Sequence, residues 1–281
     1  MISVTVGVLP NLDKKGAPEV VEKIGKLIKE MGITAYLPDN ICGTDYKHIS
    51  ERQIYDVADI IVTVGGDGTI IRFAKLAAKQ NKPVLGINAG RIGFLANVDP
   101  DELYELKKLQ TGDYSVEERM LLNVQVLENG KEKFTQVAMN DMVITSGFMS
   151  RIIDVRAHFG NDCISYRADG LIAATPTGST AYSLSAGGPI IDPLSENICI
   201  TPICSHSISA KPIILNKNAV VKFNAFSLKH TDIYMSVDGR KGPIIKPYTD
   251  IVVSKSDYGV KLIRLNNKSF YKTLSEKFKD K

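Results

Sequence analysis

Cysteine and histidine are both scarce, at four of each in 281 residues. Cys42, Cys163, Cys199 and Cys204 never fall at Cys-x-x-Cys spacing, which excludes the common zinc and dithiol motifs. Reduced, buried thiols in a cytoplasmic protein are the expectation they leave. His48, His158, His206 and His230 are scattered and form no metal cluster along the chain. No apolar stretch approaches the roughly 20 residues of a membrane helix. The N-terminus, Met1-Ile2-Ser3-Val4, has no basic segment of the kind that opens a signal peptide. A strong charge of one sign is also missing. There are 35 basic and 31 acidic residues, a net +4, and part of that excess is Lys268, Lys272, Lys277, Lys279 and Lys281. A nucleic-acid surface needs a basic stripe interleaved with aromatics, and none is present. Neither nucleic acid nor membrane is therefore an expected partner.

What remains is an ordinary globular composition, 44% apolar and 23% charged, with length enough for two domains. Ile2, Val4, Val6 and Val8 alternate as a strand. Pro18 opens a helical pattern through Val20, Val21, Ile24, Leu27, Ile28 and Met31, and Gly32 ends it. An apolar run, Ile60-Ile61-Val62-Thr63-Val64, leads to a glycine loop, a helix over 70–79 and a strand at 84–87. Strands alternating with helices predict a parallel sheet in an α/β domain over residues 1–98.

From about Val116 the pattern turns to strands: Leu122, Val124 and Val126, the hairpin signal Asn129-Gly130, then 153–159, 213–223, 233–237, 251–253 and 260–265. Residues 99–265 are thus expected to form a mostly β domain. A last helix from Ser269 carries Phe270, Tyr271, Leu274 and Phe278 on one face. That face needs a partner, and the first domain's sheet is one candidate, so 266–281 is assigned to the first domain.

The loop Gly65-Gly66-Asp67-Gly68-Thr69 joins a buried strand to a helix N-terminus. Glycines let backbone N–H groups approach a phosphate, and the helix end adds partial positive charge. It is no P-loop, because no lysine follows Gly68. It is no Rossmann loop, because the third glycine would fall at Ile71. A carboxylate repels phosphate, so Asp67 must hold a metal, orient a hydroxyl or accept a proton. The bland alternative is a strand-to-helix turn.

Two further segments stand out. Asn140-Asp141 follows a strand-like stretch and could be a turn or a grip on two vicinal hydroxyls. Residues 169–189 are dominated by small and hydroxyl side chains, and the expectation is a ligand-wrapping run rather than packed core.

These segments together resemble the NAD kinase family. The resemblance rests on Gly65–Thr69, on Gly86-Ile87-Asn88-Ala89-Gly90-Arg91-Ile92-Gly93-Phe94-Leu95, on Asn140-Asp141 and on the 169–189 run, and so covers nearly the whole chain. The first motif alone would also fit lipid kinases and phosphofructokinases. The resemblance implies transfer of the γ-phosphoryl of ATP, or of polyphosphate in some members, to the 2′-hydroxyl of the adenosine ribose of NAD. Mg²⁺ would arrive with ATP. It implies a dimer or tetramer, with the NAD site shared between domains and subunits. By motif, Asp67 would be the catalytic carboxylate with Gly68 beside it. Asn140 and Asp141 would hold the ribose, where the family often has Asn-Glu. Thr180, Ala181, Tyr182, Ser183, Leu184 and Ser185 would line the dinucleotide pocket. Asp169 would reach the nicotinamide end across a subunit interface, and Phe94 would contact adenine. Arg72, Arg151 and Arg167 are the nearest basic residues and the candidate phosphate partners. Two rivals are a lipid kinase, which needs an apolar membrane-facing patch, and a dinucleotide-binding regulator, which would lack the base.

Overall fold

Pro18 in the first turn, Glu19 beside it and a buried stripe of Val20, Val21, Ile24 and Ile28 specify the first helix, and Gly32 at φ +66° lets the chain leave it. In the computed structural model, which describes residues 4–90, 93–147, 152–207, 210–227 and 232–279, this is α1 (Ala17–Glu30), and it follows strand β1 (Thr5–Pro10). Strands β2 (Thr34–Pro38) and β3 (Lys47–Ile49) come next. Helix α2 (Glu51–Val57) is opened by a reciprocal cap between Ser50 and Gln53. Then come β4 (Ile60–Gly65), α3 (Asp67–Lys79) and β5 (Val84–Asn88). Every residue of β4 and β5 is buried, as expected for parallel strands covered on both faces.

The chain divides into two units, Met1–Glu118 with Val260–Lys281, and Arg119–Gly259. The first unit is built on a seven-stranded sheet in the order β3-β2-β1-β4-β5-β19-β6. Its last two strands are β6 (Ser115–Arg119) and β19 (Val260–Arg264). Neighbours from β3 through β19 are parallel. Residues 99–118 and 260–265 were expected in the second domain. They belong here because β6 and β19 extend this sheet, with Leu262 paired to Val84. The chain winds from β1 outward to β3, then returns to β4 and winds the other way to β5. Doubly wound sheets bind ligands at such a reversal, outside the carboxyl ends of the strands. Asn11 and the Gly65–Thr69 loop follow the two strands at that point.

The second unit is a sandwich of two six-stranded antiparallel sheets. One has β11-β10-β15-β18-β7-β8 and the other β14-β13-β12-β9-β16-β17. In chain order these are β7 (Leu122–Glu128), β8 (Lys131–Ala138), β9 (Asp141–Ser146), β10 (Ile153–Phe159), β11 (Asp162–Ala168) and β12 (Gly170–Ala174). They continue with β13 (Asn197–Ile203), β14 (Ile213–Asn216), β15 (Val221–Phe226), β16 (Ile233–Val237), β17 (Arg240–Ile245) and β18 (Asp250–Lys255). One core joins the facing sheets, with Val124, Val155, Phe223 and Val253 from the first and Ile144, Leu171, Ile200 and Met235 from the second. Asn129 and Gly130 both have positive φ, so β7 and β8 close through the two-residue turn read from the sequence. The run 213–223, expected as one strand, is two strands in different sheets. Asn216 Oδ1 accepts the Asn218 N–H at 2.9 Å and turns the chain between them. Only Cys199 of the four free cysteines is buried, against the expectation for all of them. Among the described residues, no helix is long and apolar enough to cross a membrane.

Candidate functional site

The first cluster lies in the α/β unit. Gly66 caps α3 in extended conformation, and Asp67 is the first helical residue. The helix was expected to begin at Ile70, one turn later. A Cβ on Gly66 or Gly68 would meet nothing within 4 Å, so the fold itself does not demand glycine there. Gly65 differs, because a Cβ would lie 2.5 Å from Thr69 Oγ1. Asp67 reaches across to the loop after β5. Its Oδ2 accepts the Phe94 N–H at 2.9 Å and its Oδ1 the Leu95 N–H at 3.1 Å. A Cβ on Gly93 would come within 2.0 Å of Asp67 Oδ1, so the carboxylate fills the space that this glycine leaves.

The loop holding Asp67 is itself tied down by the end of the chain. Asn97 Oδ1 accepts the Leu265 N–H at 2.7 Å, and Lys268 Nζ bonds Asp99 Oδ2 at 2.6 Å and also Glu102. Helix α4 (Phe270–Lys279) has no buried residue. Phe94, in the loop after β5, packs against this helix. The rings of Phe94 and Phe270 are 5.6 Å apart, and Lys277 Nζ stands 4.6 Å from the Phe94 ring centre.

The second cluster lies in the sandwich. Asn140 sits in the turn between β8 and β9, and Asp141 begins β9. The Asp238 carboxylate accepts the backbone N–H groups of Met139, Asn140 and Asp141, the shortest at 2.7 Å from Asn140. On the other side, Thr175 Oγ1 donates to Met139 O at 2.6 Å and Thr175 N to Asn140 O at 2.8 Å. A Cβ on Gly178 would lie 2.0 Å from Asn140 O, so that glycine is required by close backbone approach. Asp141 is buried, and that burial, reinforced by the charge of Asp238, pushes its carboxyl up to about 7. Near neutral pH it is divided between the carboxylate and the carboxyl, and the carboxyl form can both donate and accept.

With this geometry in place, the relatives of the chain are informative. The ATP-NAD kinase N-terminal domain matches residues 6–114 and the ATP-NAD kinase C-terminal domain matches residues 139–265. The chain belongs to the ATP-NAD kinase family. The NAD kinase of Natranaerobius thermophilus is 39% identical over 278 residues, 97% of each chain. The NAD kinase of Geobacter sulfurreducens is 40% identical over 241 residues, 83% of this chain and 84% of that one. The yeast NADH kinase complexed with NADH has the same fold, with a TM-score of 0.87 at 24% identity, covering 98% of this chain and 87% of that one. So does an NAD kinase from Archaeoglobus fulgidus in complex with ATP, with a TM-score of 0.75 at 24% identity over 99% of both chains.

The residues singled out by resemblance to the ATP-NAD kinase family fall unevenly. Asp67 and Phe94 are joined directly. Arg72 is exposed, pairs with Glu51 at 3.5 Å and lies over the Phe73 ring. Arg167 is exposed on β11, at 4.0 Å from Asp154. Arg151 lies outside the described residues. Asp169 precedes β12, whereas Asn140 and Asp141 face its other end, with Asp141 paired to Ala174 and Thr145 to Gly170. At about 3.4 Å per residue that separates Asp169 from Asp141 by roughly 17 Å.

The first half of the 169–189 run, 170–179, is buried, whereas most of 180–189 reaches the surface. Strand β12 is central in its sheet and buried throughout. Leu171 and Ala173 face the sandwich core, and Ile172 and Ala174 face a second cluster with Ile191 and Cys199. Several hydroxyls are consumed internally. Ser179 Oγ bonds Pro176 O and Ser183 Oγ bonds Thr201 Oγ1. Ser183 therefore faces the core, while Tyr182 is exposed and Thr180, Ala181, Leu184 and Ser185 reach the surface to differing degrees. Thr177 was missed. Its Oγ1 is buried with no hydrogen-bond partner among the described residues, which marks a hydroxyl left for a ligand. Asp238 was missed too, although Asp238-Gly239 is a hairpin signal in its own right.

Proposed function

We propose that the chain is a kinase that transfers the γ-phosphoryl group of ATP to the 2′-hydroxyl of the adenosine ribose of NAD, giving NADP and ADP. The observation that carries this reading is the Asp67 loop. A carboxylate stands at a helix N-terminus beside two glycines with open space around them, and it is fixed by two backbone N–H groups. A carboxylate oxygen accepts about two hydrogen bonds, so each Asp67 oxygen keeps capacity for a ligand hydroxyl.

In the proposed reaction Asp67 takes or orients the proton of the 2′-hydroxyl as that oxygen forms its bond to the γ-phosphorus. The bond from the γ-phosphorus to the bridging oxygen breaks and ADP leaves. Such transfer depends on positioning and charge neutralisation more than on covalent help. The N-terminus of α3 and the open backbone at Gly66 and Gly68 suit phosphate oxygens. Mg²⁺ belongs to the ATP substrate in this reading, held on phosphate oxygens. Asn140 and Asp141 would take the ribose hydroxyls, with Thr177, Thr180 and Tyr182 along the dinucleotide. A homo-oligomer is part of the proposal, because Asp169 lies a strand length away from Asp141. A cytoplasmic location is supported by the three exposed free thiols, Cys42, Cys163 and Cys204.

The test is incubation with NAD, Mg²⁺ and either ATP or polyphosphate, followed by detection of NADP. NADP from ATP supports the reading, and NADP from polyphosphate widens the donor. Failure to form NADP with either donor would overturn it.

A further inference from the structure

We infer that Asp238 is a positioning residue for the ribose grip: its carboxylate fixes the turn at 139–141 and so sets the direction in which Asn140 and Asp141 meet the dinucleotide. The ribose role of that pair rests on the kinase reading; the hold on the turn does not.

Asp238 and Gly239, at φ +48° and +70°, form the two-residue turn between β16 and β17. A turn of this kind favours Asp-Gly for conformational reasons alone, and the aspartate side chain could then face water. Here it crosses to another turn. Met139 N lies 3.1 and 3.0 Å from its two oxygens, Asn140 N 2.7 Å and Asp141 N 3.2 Å from Oδ1. Asp238 N in return donates to Asp141 O at 2.9 Å. The carbonyls of the same turn are taken by Thr175, at Met139 O and Asn140 O. Three successive N–H groups converging on one carboxylate form a concave anchor of the kind that binds anions, filled here by the protein's own side chain. The backbone of the turn is thus held from both sides. The Asn140 and Asp141 side chains hang on a frame they do not themselves build. Charge-assisted bonds are stronger than neutral ones, so the anchor depends on the carboxylate and not only on its shape.

Two variants test this. Asp238→Asn keeps the size but sets an amide group against converging donors, and Asp238→Glu keeps the charge but moves it by one methylene. Calorimetry with NAD and with ATP is combined with amide hydrogen exchange. Both variants are expected to weaken NAD binding at least tenfold and ATP binding less than twofold. Exchange at 139–141 is expected to quicken at least tenfold while that of β12 stays as in the wild type. Equal losses for the two nucleotides, no loss, or unchanged exchange at 139–141 would overturn the inference. So would collapse of both variants, which would make Asp238 a general structural anchor. A wild-type chain that binds no NAD would sink the kinase reading, and the exchange measurement would still decide whether Asp238 holds the turn.

Discussion

Phe94 N–H donates to Asp67 Oδ2 at 2.9 Å across 27 residues of sequence, and Leu95 N–H joins it on Oδ1. The group proposed to act on the hydroxyl is therefore also the tie between the glycine loop and the loop after β5. Asp67→Asn would set an amide N–H against one of those two donors. Turnover is expected to fall by about 10² or more, as for a lost base. Stability should fall by about 1–3 kcal/mol for the unpaired donor, with NAD binding retained. Steady-state NADP formation and denaturant melts read both effects, and near wild-type turnover would remove the base role.

The glycines of these loops should separate into two kinds. Gly93→Ala would place a Cβ 2.0 Å from Asp67 Oδ1 and must displace the carboxylate or the loop. It is expected to cost about 1–3 kcal/mol and to lower kcat more than it raises KM. Gly68→Ala has open space and a helical position, where alanine gains roughly 0.5–1 kcal/mol over glycine. It should melt slightly higher and bind ATP or NAD more weakly. A Gly68→Ala protein with unchanged nucleotide affinities would mean that the open space is not ligand space.

Much of this was legible because the deciding chemistry is local. The glycine loop, the Asn129-Gly130 hairpin and the end of α1 at Gly32 are each set by a few neighbouring residues. The cap between Ser50 and Gln53 was equally local, yet β2, β3 and α2 went unread beside the stronger signal of β4. What could not be read is tertiary. Val260–Arg264 looks like any half-buried strand, and its place beside β5 depends on a partner far away in sequence. A serine in a polar run faces ligand or core according to what stands opposite, and for Ser183 that is Thr201. The grip of Asp238 on residues 139–141 spans 97 to 99 positions, beyond any spacing rule.

Asn140→Ala isolates the ribose grip. Its backbone is held by Asp238 and Thr175, so truncating the side chain should leave the turn in place. A ligand hydroxyl left unpaired costs about 1–3 kcal/mol. Calorimetry should show that loss for NAD and little change for ATP, and equal losses would return the pair to a structural turn.

Asp141 should make stability depend on pH in an unusual direction for a carboxyl. Its folded value, about 7, lies above the ordinary 3.8. The stability it contributes is therefore fully present below about pH 3.8 and is lost as pH rises through about 7, because the unfolded chain ionises first. The slope from one such group is about 1.4 kcal/mol per pH unit. Asp141→Asn removes that slope. Urea unfolding of both proteins at pH 5 and pH 8 should find the variant gaining on the wild type at the higher pH. A constant difference would mean that Asp141 ionises normally in the folded chain.

Asp169 tests whether the site is completed by a second copy. It lies at the opposite end of β12 from the strand pair that carries Asp141, roughly 17 Å away by register. In a closed symmetric oligomer each copy can offer Asp169 to its partner's pocket. An Asp67→Asn chain and an Asp169→Ala chain, each impaired alone, should then complement when mixed. In a mixed dimer one site would combine both lesions and the other would carry neither, so activity should rise above the sum of the separate proteins. The rise should follow subunit exchange, measured by mass spectrometry of differently tagged chains. Exchange without any gain in activity would place Asp169 in its own chain's site or outside the reaction.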